Sequence, residues 1–315
     1  MKQEDLKKYF SHTETLLNHV FWFKQEFELK PEKEHLGTSI NYNDIKERRD
    51  DFISELINTV SAWVYSKEKV NAIIQERLAA SNGDYANASS FLTSQAFSKF
   101  RPGYPQGQFG ELLLFNFIQY FFQSVPMLRK QRITTSKGHE RFGADAIHFK
   151  IDNGNNVIVL GESKCYRSKY TFKKAFETSL KSIIATFDKI DQELGLYTYD
   201  DFIEKGLEDV AKKYKTGRLD NVKYELVCLV AYNETNKRKG NIEKEIKDSI
   251  KKIIEDRCKE ISDDYFISLE ENIVSRINYI IFPIWNLDEI FNIFQTKVGS
   301  SKILEEENYD DDTEL

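Results

Sequence analysis

Two acids and a lysine within RFGADAIHFKIDNGNNVIVLGESKCY (141–166) carry the most chemistry in this sequence. Asp145 stands in GADAIHF, and Glu162 and Lys164 form a Glu-x-Lys triplet in GESKCY. Between them, Asn153-Gly154 separates two apolar runs. That dipeptide is a strong hairpin signal, because a type I′ turn needs positive φ at both central residues. With those two residues as the loop, Asp152 faces Asn155, and counting outward Asp145 faces Glu162. Alternation then places Lys164 on the face of Glu162, together with Ile147, Phe149, Ile158 and Leu160. Like charges directly opposed destabilise a sheet, and a cation between them relieves that cost. Asp and Glu supply the hard oxygen ligands that Mg²⁺ (or Mn²⁺) takes while keeping several waters. Such a metal polarises a phosphate and lowers the pKa of a bound water. Lys164 adds a compact positive charge to orient the attacking water or stabilise the charged transition state. A Glu-x-Lys triplet is common by itself. The specificity comes from its place after an apolar strand, across a turn-defined hairpin from Asp145. The alternative is a surface salt bridge between Lys164 and either acid on an edge hairpin.

A third acid, Glu111, stands in GQFGELLLFNFIQYFF. Leu114, Phe115, Ile118 and Phe122 follow at helical spacing, so Glu111 heads the stripe that must face the sheet. It is either a first-turn acid answering the helix dipole or one pointed into a site, with Gly107 and Gly110 leaving room.

The elements that position these residues follow from periodicity. Residues 1–100 read as mostly helical, with helices over 44–63 and 70–80, and SNGDYANASS (81–90) as a turn or loop. RPGYPQG (101–107) is the clearest breaker. A helix over 108–122 ends by Pro126, and strand-like pieces follow near 129–135, 142–151 and 156–164. A helix runs over 171–194 with Phe172, Ala175, Phe176, Leu180, Ile183, Ile184 and Phe187 on one stripe. Then come a buried-type strand over 224–231, a helix over 241–260, a strand over 276–284 and a helix over 287–296. This order predicts an α/β fold with a mixed central sheet flanked by helices. The expected organisation is a helical N-terminal region (1–100), a core (101–300) and an acidic tail (301–315).

Composition narrows the class. The chain has 315 residues, 40% apolar and 30% charged, enough to bury a core and unlike a disordered chain. Five prolines and 14 glycines exclude collagen-like and linker-rich chains. Cys165, Cys228 and Cys258 form no CxxC pair and no even framework, which argues against a disulfide scaffold or Cys-ligated zinc. The charged start lacks a signal-peptide core, and the greasiest run, 112–122, is well short of the ~20 residues a membrane span needs. The expectation is a cytoplasmic protein with no membrane contact. The net charge is −6, but residues 305–315 hold seven acids and no base, so the remainder is +1. Residues 129–174 carry eleven Lys/Arg against four Asp/Glu. A local basic stripe of this kind binds phosphates. Candidate nucleic-acid contacts are Lys137, Arg141, Arg167, Lys169, Lys173 and Lys174, with the KRK at 237–239 a weaker one. His139 in SKGHER is a loop histidine. His148 alternates away from Asp145 and is expected to pack, as is Cys165, and Ser163 faces away from the acids as a structural residue.

An acid on a helix, Asp on a strand, Glu-x-Lys on the next strand and a following helix resemble the PD-(D/E)xK nuclease superfamily with its restriction-endonuclease-like core. GELLLF (110–115), FGADAIHF (142–149) and LGESKCY (160–166) resemble more closely the HamA nuclease-subunit family of the Hachiman antiphage system, as do WVYSKEK (63–69) and YIIFPI (279–284). The resemblance spans about residues 45–300. Ala144 replaces the Pro of the superfamily's name, a departure that the superfamily tolerates. The resemblance implies Asp145 and Glu162 as metal ligands, Lys164 as catalytic lysine and Glu111 as the helix carboxylate that completes or supports the metal site. It further implies a divalent cation, DNA phosphodiester hydrolysis and a superfamily 2 helicase partner, HamB-like. Other readings are a non-catalytic nuclease-fold DNA-binding or helicase adaptor, and a sequence-specific restriction endonuclease.

Overall fold

The computed structural model describes residues 2–100, 105–129, 144–167, 171–190 and 204–299. Nine strands lie among them: β1 (Val20–Glu26), β2 (Glu34–Ile40), β3 (Tyr42–Asn43), β4 (Lys46–Glu47), β5 (Val125–Leu128), β6 (Ala146–Asp152), β7 (Asn155–Tyr166), β8 (Val222–Asn233) and β9 (Ile277–Ile284). The helices are α1 (Glu14–Leu17), α2 (Arg49–Asn58), α3 (Val60–Val64), α4 (Lys67–Ala80), α5 (Tyr85–Phe97), α6 (Pro105–Phe122), α7 (Thr171–Asp188), α8 (Glu208–Lys215), α9 (Glu243–Cys258), α10 (Glu271–Val274) and α11 (Leu287–Val298).

Seven strands form one mixed sheet in the order β1-β2-β9-β8-β7-β6-β5. β7, β8 and β9 are mutually parallel, β2 joins β9 in parallel, and the β1/β2, β5/β6 and β6/β7 pairs are antiparallel. The middle of β8 (LVCLVAY, 226–232) is buried throughout, as expected of a parallel strand covered on both faces. One face carries Ile147, Phe149, Ile158, Leu160, Leu226 and Cys228 against α7, α8 and α9. The other carries Ala146, Val157, Val159, Val227 and Leu229 against α6, α11 and the helices of the N-terminal region.

The expected helical N-terminal region holds for residues 49–97 and fails for residues 20–40, which form β1 and β2 at one end of the central sheet. Thr38 Oγ1 donates to the Ile281 carbonyl at 3.0 Å, tying β2 to β9. The expected helix over 44–63 is instead the short β3–β4 hairpin followed by α2 and α3. The loop expected over 81–90 shrinks, because Asp84 caps α5 by accepting the Asn87 N–H at 3.0 Å. α6 begins at Pro105, the position where a helix tolerates proline best. The strand before the hairpin starts at Val125 and contains Pro126, which an outer strand accommodates. Most of the stretch expected as a strand over 129–135, the end of the helix expected over 171–194 and the acidic tail lie outside the described residues.

Gly161 sets how closely α6 lies on the hairpin. A Cβ there would stand 2.6 Å from Ile118 Cδ1, 2.9 Å from Leu114 Cδ2 and 3.3 Å from Ala146 Cβ. Gly161→Ala is therefore expected to cost about 1–3 kcal/mol, read as a lowered midpoint in urea unfolding.

Candidate active site

The hairpin forms with the predicted register. Asn153 (φ 47°) and Gly154 (φ 79°) make the turn, Asp152 pairs with Asn155, and the ladder runs out to Ala146 opposite Gly161. Beyond that rung the regular ladder stops. The Asp145 N–H bonds the Gly161 carbonyl at 2.9 Å, one residue out of step with the ladder. β7 continues through residues 162–166 paired with β8 alone among the described strands. This end of the ladder lies in the carboxyl-terminal half of β7, while β8 stays paired with β7 along its length; open α/β sheets place ligands towards the carboxyl ends of their parallel strands.

Asp145 and Glu162 stand just beyond the last rung and do not form the directly opposed pair that the register predicts. Asp145 Oδ2 turns to Ser163, accepting its N–H at 2.9 Å and its Oγ–H at 3.1 Å. The carboxylate thus replaces the ladder bond that β6 no longer provides. Ser163, expected to face away from the acids as a structural residue, is a direct partner of one of them. Glu162 faces α7, as alternation requires, and is 3% exposed. Its Oε2 accepts from Ser182 Oγ at 3.0 Å and its Oε1 from Thr186 Oγ1 at 2.9 Å. Lys164 shares that face, its Nζ 3.9 Å from Glu162 Oε2, with the lysine side chain far more exposed than the acid. The sequence reading missed Ser182 and Thr186. Their signal was Thr178, Ser182 and Thr186 recurring every fourth residue beside the apolar stripe of that helix.

Glu111 sits in the second turn of α6, not the first, and is half-buried. Its neighbour Gly110 approaches β7 closely: a Cβ there would lie 3.0 Å from Ser163 Oγ. Gly107, one turn before Glu111, is exposed, and no atom lies within 4 Å of such a Cβ there. Among the described residues, no group of three or more His, Cys, Asp or Glu side chains is arranged to hold a metal ion. Asp145, Glu162 and Glu111 are therefore not drawn into a three-carboxylate cradle. Asp145 and Glu162 by themselves offer the one or two carboxylates that Mg²⁺ takes alongside its waters, so the donor chemistry suits a hard cation.

The remaining candidates divide. Arg167 pairs with Asp288 of α11 at 2.8 Å and lies 5.1 Å from the Phe291 ring centre. Lys173 and Lys174 are exposed on the first turn of α7, with Lys173 Nζ 5.7 Å from the Tyr265 ring centre. Lys137, Arg141, Lys169 and His139 lie outside the described residues. His148 packs edge-on to Phe115, and burial pushes its pKa down to about 3, so it remains neutral at physiological pH. Burial pushes the Cys165 thiol up to about 12, which keeps it from acting as a thiolate nucleophile. Among the described residues, no helix is long and apolar enough to cross a membrane.

A family model described as HamA matches residues 17–298 of this chain. The match takes in β1 and β2, which precede the motif-bearing stretch that begins near residue 45. Comparison with curated proteins gave no match.

Proposed function

Since the chain belongs to the HamA family, we propose that it is a metal-dependent nuclease that hydrolyses DNA phosphodiester bonds together with a superfamily 2 helicase. Membership in the family implies a role in Hachiman antiphage defence. The observation that carries the catalytic reading is the end of the β6–β7 ladder at the Ala146–Gly161 rung, with Asp145 and Glu162 immediately beyond it and Lys164 beside Glu162. Asp145 and Glu162 would hold Mg²⁺ or Mn²⁺. Such a cation, when bound, polarises the scissile phosphate and lowers the pKa of a bound water. Lys164, partly exposed beside Glu162, would orient the attacking water and stabilise charge developing on the phosphoryl oxygens. Lys173 and Lys174 supply phosphate contacts, which fix the register of a duplex without reading its sequence.

The self-satisfied state of Asp145 and Glu162, each accepting protein hydroxyls, keeps a second reading in view: an adaptor that binds DNA without cutting it. The two separate in one experiment. The purified chain, alone and with its helicase, is expected to cleave DNA with Mg²⁺ and to lose all cleavage in EDTA. Identical DNA binding with and without Mg²⁺, and no cleavage in either, would establish the adaptor.

A further inference from the structure

α7 carries a ladder of hydroxyls in step with β7. Thr178 Oγ1 accepts from the Tyr166 hydroxyl at 3.0 Å, and Ser182 and Thr186 donate to the two oxygens of Glu162. Four residues of helix rise about 6.0 Å and two residues of strand about 6.6 Å. A hydroxyl every fourth residue of α7 therefore keeps pace with Glu162, Lys164 and Tyr166, which share one face of β7. The helix runs against the strand: Thr178 meets Tyr166, and Thr186 meets Glu162 at the other end. Phe176, Leu180 and Ile183 beside this stripe are buried against the sheet, so the hydroxyls are held at a fixed height.

We propose that Ser182 and Thr186 are positioning residues that aim the Glu162 carboxylate at a divalent cation. The proposal rests on the nuclease reading above. Burying a carboxylate is costly unless hydrogen-bond donors meet its oxygens. A lysine or arginine in that place would add a charge that competes with a metal, whereas two hydroxyls fix both oxygens without one. Ser182 takes the same oxygen, Oε2, that Lys164 approaches, and the ammonium stays 3.9 Å away, well beyond the 2.7–2.9 Å of a charge-assisted hydrogen bond. The clamp thus satisfies the acid locally and leaves the lysine for the substrate.

The test uses the full chain with Ser182→Ala, Thr186→Val, the double variant and the conservative Thr186→Ser. Mn²⁺ binding is measured by electron paramagnetic resonance without DNA, and cleavage is titrated with Mg²⁺. Loss of both hydroxyls is expected to weaken Mn²⁺ binding by about 10- to 100-fold, the usual effect of removing partners of a metal ligand. The Mg²⁺ midpoint for cleavage should rise in parallel, with much of the loss recovered at saturating metal, and Thr186→Ser should restore the midpoint. A purely structural role would lower the melting temperature and leave the metal midpoint of the folded fraction unchanged. Should the double variant fail to fold, Ser182→Ala, at a half-buried position, carries the same comparison. Unchanged Mn²⁺ binding without the hydroxyls, alongside its loss in Glu162→Gln, would overturn the positioning role and leave the nuclease reading standing. Unchanged Mn²⁺ binding and cleavage in Glu162→Gln would instead remove the nuclease reading itself.

Discussion

Lys164→Ala is expected to lower Mg²⁺-dependent DNA cleavage by about 10²- to 10⁴-fold, the span associated with a positioned proton-transfer group or a single electrostatic stabiliser. Divalent-cation binding should persist, because Asp145 and Glu162 are untouched. The fold should persist as well: the lysine side chain is partly exposed, and its approach to Glu162 is too long to contribute much stability. Lys164→Arg should rescue little, since a planar guanidinium neither matches the compact ammonium nor gives up a proton. Single-turnover cleavage of a labelled duplex, compared with Mn²⁺ binding of the same preparation, reads both parts. Full activity in Lys164→Ala would take the lysine out of the mechanism.

The largest effect on stability is expected away from Asp145, Glu162 and Lys164. Arg129, at the end of β5, and Glu204 form an ion pair whose side chains are 3% and 0% exposed. Arg129 Nε also donates to the Ala62 carbonyl of α3 at 3.2 Å, and Glu204 Oε2 accepts the Lys67 N–H of α4 at 3.4 Å. The pair therefore pins the N-terminal helices to the sheet. Arg129→Met leaves a buried carboxyl without its counter-charge and should cost about 3–5 kcal/mol in urea unfolding. Burial already holds the Glu204 carboxyl above its ordinary range, and Arg129 and Glu68 act on it from opposite directions. With the arginine gone, its folded-state pKa rises further above the unfolded value. The variant then binds a proton on folding, and its deficit relative to the parent chain should be larger at about pH 8 than at about pH 5. A deficit independent of pH would mean that lost packing, not the unpaired acid, dominates.

The hairpin was legible in the sequence because everything that specifies it is local. Asn153-Gly154 chooses the turn, the turn chooses the register, and the period of two assigns each side chain to a face. Ile147, Phe149, Ile158 and Leu160 lie on the predicted face, Glu162 and Lys164 share it, and His148 packs on the other against Phe115. The apolar stripe of α7 was equally plain, because a period of 3.6 marks the buried side of a helix whatever covers it.

What only tertiary structure decided concerns partners. β1 and β2 join the sheet through β9, more than 240 residues further along the chain: Leu36 pairs with Ile280, and Gly37 with Ile281. No local periodicity announces a contact of that range. Ser182 and Thr186 reach Glu162 only because the helix packs antiparallel on the strand with matching rise, and Ser163 meets Asp145 only because β6 ends one rung early. A sequence specifies which side of an element is buried through short-range alternation of apolar and polar residues. Which polar groups meet there depends on how whole elements dock, and docking is set by the summed packing of residues distant in the chain.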